Sequence, residues 1–134
     1  MEAYEFLVPG SPVSVHERDR KVYRAFKDRV FAEAVRVWPG YLPFIDSYAK
    51  LTIVFMCAEH AQPDVDNVIK PIMDALEILY YADDQMVSDV DAHRRVLGKL
   101  DPALLPHLMQ RSAREGRECV YVRIQSALST EILS

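Results

Sequence analysis

The chain has 134 residues, half of them hydrophobic, and a formal net charge of −4. That length and composition give one domain, residues 1–134, with a proper core, and they exclude a disordered tail protein. No apolar run is long enough to span a membrane, and Met1-Glu2-Ala3-Tyr4-Glu5 lacks the basic start of a signal peptide.

Ala3 to Val8 reads as a short strand that Pro9-Gly10 ends, with Pro12 extending the loop. From about Arg18 to Trp38, apolar residues recur as Val22, Tyr23, Phe26, Val30, Ala34, Val35 and Trp38. This is helical spacing with a basic opposite side, stopped by Pro39-Gly40. Tyr48 to Met56 is β-branched and aromatic, a buried strand. After a loop from Ala58 to Pro63, a helix is expected from about Asn67 to Tyr80, with Val68, Ile69, Ile72, Met73, Leu76 and Tyr80 inward. Pro71 restricts its start, because proline is tolerated only near the first turn.

Met86 to Val96 is expected to be a third strand. Glu118 to Gln125 is a fourth, with Val120, Val122 and Ile124 alternating against Tyr121, Arg123 and Gln125. Between them, Asp101-Pro102 and Gly116 punctuate a helical insert whose first turns Pro106 should disturb. The order predicts an α+β fold: a single mixed sheet of about four strands with two main helices packed on it. Cys57 and Cys119 sit far apart in strand-like segments and read as buried thiols, which suggests a reducing, cytoplasmic compartment.

Charge is unevenly spread. Residues 64–91 hold eight acids and one base, Lys70, a net −7 that leaves +3 for the rest of the chain. Residues 18–29 alone carry Arg18, Arg20, Lys21, Arg24, Lys27 and Arg29; smaller basic sets are Arg94, Arg95, Lys99 and Arg111, Arg114, Arg117. A bound cation would invert the sign of the acidic centre, so the total charge does not exclude a nucleic-acid partner.

Within that centre, Asp64 and Asp66 are separated by one residue at a strand-to-helix junction; Lys70 and Asp74 follow on the helix, and Asp83-Asp84 lies beyond it. Carboxylate oxygens at such spacing can hold Mg²⁺ against phosphate while leaving positions for water and substrate. Taken singly, Asp64-Val65-Asp66 is more often a polar turn with Asp66 as a helix N-cap, and Asp83-Asp84 a plain loop. Lys70 is also an i,i+4 partner for Asp66 and Asp74. Asp89 and Asp91 read as the solvated side of a strand, and His16, His60, His93 and His107 show no ligand spacing.

Pro63-Asp64-Val65-Asp66-Asn67-Val68-Ile69-Lys70 with Asp74-Ala75-Leu76, followed by Asp83-Asp84-Gln85-Met86-Val87, closely resembles the RusA family of Holliday-junction resolvases. The resemblance implies a homodimeric, Mg²⁺-dependent crossover junction endodeoxyribonuclease, with Mn²⁺ able to substitute, that nicks four-way junction DNA symmetrically in recombination and repair. It places the family's catalytic residues on Asp64, Asp66, Lys70 and Asp84, and the metal on Asp64, Asp66 and Asp84. Asp74 matches the aspartate of the family's D-A-L helix end. Two departures stand out: the loop Ser14-Val15-His16-Glu17 is neutral or acidic where relatives are often basic, and the insert from about Asp101 to Glu115 is longer than a hairpin. Such an insert is expected to enlarge a dimer interface or touch a junction arm. Two other functions fit the residues: a junction-binding or regulatory protein that does not cut, and a metal-dependent nuclease for another branched or single-stranded DNA.

Overall fold

The computed structural model of the chain describes residues 3–38, 40, 48–58, 64–77, 79–81 and 84–127, with Asp84 described by its backbone alone. Four strands form one mixed sheet: β1 (Ala3–Pro9), β2 (Ala49–Cys57), β3 (Val87–Val96) and β4 (Cys119–Ser126), in the order β1-β4-β2-β3. β4 runs antiparallel to both β1 and β2, whereas β3 runs parallel to β2, with Ala49 opposite Val87 and Cys57 opposite Val96. Parallel neighbours need a crossover, and residues between β2 and β3 supply it as a 3-10 turn (Val65–Val68) and helix α2 (Ile69–Leu76).

Alternation along the strands builds two cores. Leu51, Ile53, Phe55 and Cys57 of β2 and Val120, Val122 and Ile124 of β4 face one side. There they meet Phe26, Val30 and Ala34 of helix α1 (Arg20–Val37) and Ile72, Ala75 and Leu76 of α2. Each buried Val, Leu, Ile or Phe among them contributes about 1.5–3 kcal/mol, so this face dominates the folding free energy. Val54 and Met56 of β2 and Cys119 and Tyr121 of β4 face the other side, against Leu105 and Met109. Both cysteines are buried free thiols, as expected, and they belong to cores on opposite faces of the sheet.

α1 starts at Asp19, whose carboxylate accepts from the backbone N–H groups of Lys21 (2.9 Å) and Val22 (3.4 Å). Its buried stripe is narrower than the sequence pattern predicts: Val22 and Val35 are exposed, as is Phe31.

α2 is also shorter than expected. It ends at Leu76, because Leu79, Tyr80 and Tyr81 are all buried and one helical face cannot bury three consecutive residues. Pro71 is its third residue, where the missing N–H would have no intrahelical partner anyway.

The insert divides in two. Asp101 caps a 3-10 turn (Pro102–Leu104) through Ala103 N at 2.9 Å, and Pro106 then forces Leu105 into extended backbone. Helix α3 (His107–Arg114) begins after it. Gly116, at φ +71°, closes α3 with Arg117 N–H donating to Ser112 O and Gly116 N–H to Ala113 O, the paired bonds of a Schellman end. α3 lies on the face opposite α1 and α2, making a third helix on the sheet where two main ones are expected.

Candidate active site

Asp64 and Asp66 flank Val65 where the crossover begins. Val65 and Val68 are drawn inward by the α1/α2 core, which leaves the intervening carboxylates on the surface: both aspartates are exposed. Asp64 occupies the capping position of the 3-10 turn without making a side-chain cap. Asp66 lies inside that turn, so the N-cap expected of it is not formed; Val68 precedes α2 instead. The two carboxylates are therefore not spent on capping, and their hard oxygen donors fit a divalent cation.

Lys70 follows on the first turn of α2, with its Nζ 2.7 Å from Asp74 Oδ1. The pair sits beside α1: Tyr23 has its phenol pKa raised, first by burial and then by Asp74, while Lys70 and Arg20 pull it the other way. Asp84 opens a 3-10 turn (Asp84–Met86) that leads directly into β3. Its side chain and all of Asp83 lie outside the described residues, as do His60 and Pro63. Among the described residues, no group of three or more His, Cys, Asp or Glu side chains is placed to share a metal ion. Asp89 is half-buried and Asp91 exposed on β3, the latter 3.7 Å from Lys50 Nζ across the strands. His16, His93 and His107 are exposed, as expected.

The structure adds neighbours that spacing alone does not reveal. The loop after β1 folds onto the acidic turn, with Val15 N–H donating to Asn67 O at 2.8 Å. An open cleft of about 390 Å³ results, lined by Pro12, Val13, Ser14, His16, Glu17, Asp64 and Asn67. The loop is itself ordered by Ser14, whose Oγ accepts from His16 N–H and whose carbonyl accepts from Glu17 N–H. Val15 and Asn67 lie 52 positions apart in sequence, and only Pro9-Gly10 and Pro12 hint that the chain turns back.

Behind the cleft, Glu118 at the start of β4 ties the two loops that frame it. One carboxylate oxygen accepts from the Ser11 hydroxyl and the other from Ala58 N–H at 2.7 Å. These bonds hold its pKa below the usual carboxylate value, the Ser11 bond contributing most.

No helix among the described residues is long and apolar enough to cross a membrane. A search of curated proteins gives no match. The family model described as Endodeoxyribonuclease RusA matches residues 14–104, a span that includes the loop at Ser14, both acidic blocks and all of α1, α2 and β3. The chain thus belongs to the RusA endodeoxyribonuclease family.

Proposed function

We propose that this chain is a Mg²⁺-dependent endodeoxyribonuclease that resolves four-way DNA junctions by paired nicks, acting as a homodimer in recombination and repair. The observation that carries the reading is the family match across residues 14–104, with both acidic blocks inside it. Asp64, Asp66 and Asp84 would hold the metal, for which Mn²⁺ can substitute. When bound, the ion supplies a nucleophilic water at neutral pH and offsets charge on the phosphate oxygens.

The chain's own residues support this reading. Lys70 brings the one ammonium group of the acidic segment to the scissile phosphate, where developing charge needs a fixed partner. Asp74, in contact with Lys70 Nζ, positions that ammonium. Two sites related by a dimer two-fold suit a junction whose strands are themselves nearly two-fold related.

The test is cleavage of a labelled synthetic four-way junction in Mg²⁺, with duplex, flap and single-stranded DNA in parallel. Symmetric nicks in the junction, lost in EDTA and reduced at least about 100-fold by Asp66→Asn or Lys70→Ala, are the expected result. Binding should survive Asp66→Asn, since a carboxylate adds nothing to phosphate affinity. A junction that is shifted but never nicked sinks the nuclease reading, and preferential cutting of flaps or single strands sinks the junction assignment.

A further inference from the structure

The first half of α1 breaks the usual rules for charge on a helix. Beyond the capping Asp19, its first turn holds no acid and instead carries Arg20 and Lys21, although the positive end of the helix dipole disfavours cations there. Arg20 and Arg24 stand one turn apart, and Lys27 follows three residues later, so like charges are neighbours on one face. Among the described residues none of the three makes an ion pair, even though Asp28 lies at i,i+4 from Arg24. Instead they surround Tyr23: Lys27 Nζ is 5.2 Å from its ring centre, and the four residues line a recess of about 140 Å³. Locally unfavourable charge that the fold does not relieve is expected where a partner relieves it.

The position of this face identifies the partner. α1 packs on α2, and Tyr23 lies within the electrostatic reach of Asp74, Lys70 and Arg20 together. From Arg20 to Lys27 the helix rises about 10 Å, about three steps of the 3.4 Å axial spacing of phosphates on one strand of a duplex.

We propose that Arg20, Arg24 and Lys27 form a track for the DNA backbone, which leads a strand past Tyr23 to Lys70 and the acidic turn. The track replaces, on a helix, the basic charge that the loop Ser14–Glu17 lacks. It rests on the nuclease reading for the identity of the polyanion. The contacts are to phosphate, so they set affinity and register without reading sequence.

The test measures binding of a labelled synthetic four-way junction to the full chain in EDTA, by fluorescence anisotropy, across a salt series. Each phosphate contact contributes about 0.9 to the slope of log affinity against log salt. Arg20→Ala/Arg24→Ala/Lys27→Ala should therefore flatten the slope by about 3, and the exposed Arg24→Ala alone by about 1. Arg111→Ala/Arg114→Ala on α3 should leave it unchanged. A wild-type slope in the triple variant overturns the track, as does equal flattening by the α3 pair. Cleavage in Mg²⁺ reads the nuclease assignment separately: a wild-type protein that cuts junctions while the triple variant keeps its slope loses the track alone. A wild-type protein that binds the junction without nicking it loses the nuclease alone, and one that binds no DNA loses both.

Discussion

The two faces of the sheet use the same residue types to different ends. On the α3 face, Arg111 and Arg117 both pair with Glu115, and Arg114 donates to Gln110, so the basic set is satisfied within the chain. On the α1/α2 face, Arg20, Arg24 and Lys27 make no ion pair with any described residue, and Tyr23 among them lies within electrostatic reach of Asp74 and Lys70. Among the described residues the α3 face buries six core residues, whereas the other buries twenty and carries α1, α2 and the acidic turn. Charge that a fold satisfies internally is structure; charge left exposed above the larger core is available to a ligand. The family match ends at Leu104, before α3 begins.

The sharpest way to break this contrast is through the cores. Phe26, buried at the centre of the α1/α2 face, should cost about 3–5 kcal/mol when changed to alanine. Met109→Ala on the α3 face falls in the range of about 2–5 kcal/mol, and the smaller cluster around it should place it near the low end. Urea denaturation measures both. If α3 is a buttress remote from the chemistry, Met109→Ala should also leave the rate of junction cleavage unchanged under conditions where it remains folded. A larger loss for Met109→Ala than for Phe26→Ala would reverse the ranking of the two faces.

Glu118 is where the faces meet the site, and its pKa makes it testable by pH. The folded carboxyl is held below its ordinary value of 4.5 by Ser11 and Ala58. Its contribution is therefore complete above that value and is lost as pH falls through the lower folded one. Glu118→Ala should cost about 1–2 kcal/mol at neutral pH, allowing for partial exposure. The gap in melting temperature from wild type should close as the solution is acidified below pH 4.5 and through the lower folded value. A gap that persists unchanged on acidification well below pH 4.5 means the two loop bonds do not depend on the charge.

How much of this was legible in the sequence depends on how local the cause is. The period-two alternation of Val120, Val122 and Ile124 gives β4 almost to the residue. The acidic turn is likewise readable from Asp64, Asp66 and Lys70, because a motif is a local object. The break in the insert is also local, since Pro106 constrains Leu105 and α3 starts only after it. Two features were not legible, each for a tertiary reason. α2 stops early because the packing of Leu79, Tyr80 and Tyr81 overrides their helical spacing. The cleft beside Asp64 exists because Val15 bonds to Asn67, a pairing with no sequence signature.

Tyr80 shows what the early end of α2 achieves, and it supplies the smallest effect. The last four carbonyls of a helix lack i+4 partners, and at the end of α1 the Trp38 N–H bonds to Val35 O, leaving Ala34 O without that bond. The Tyr80 hydroxyl donates to Ala34 O at 3.0 Å and so joins the exit of α2 to the end of α1. Tyr80→Phe keeps the ring's packing and removes only the donor, which should cost about 1 kcal/mol. Burial raises the phenol pKa from 10.0 to about 12. Stabilisation by the neutral phenol is thus fully present below pH 10 and is lost as pH rises through the folded value near 12, because the unfolded chain ionises first. Melting curves of wild type and Tyr80→Phe should be separated at pH 8 and converge as the solution approaches that value. If the phenylalanine variant instead melts with wild type at pH 8, the bond between the helix ends contributes nothing, and packing alone ends α2 where it does.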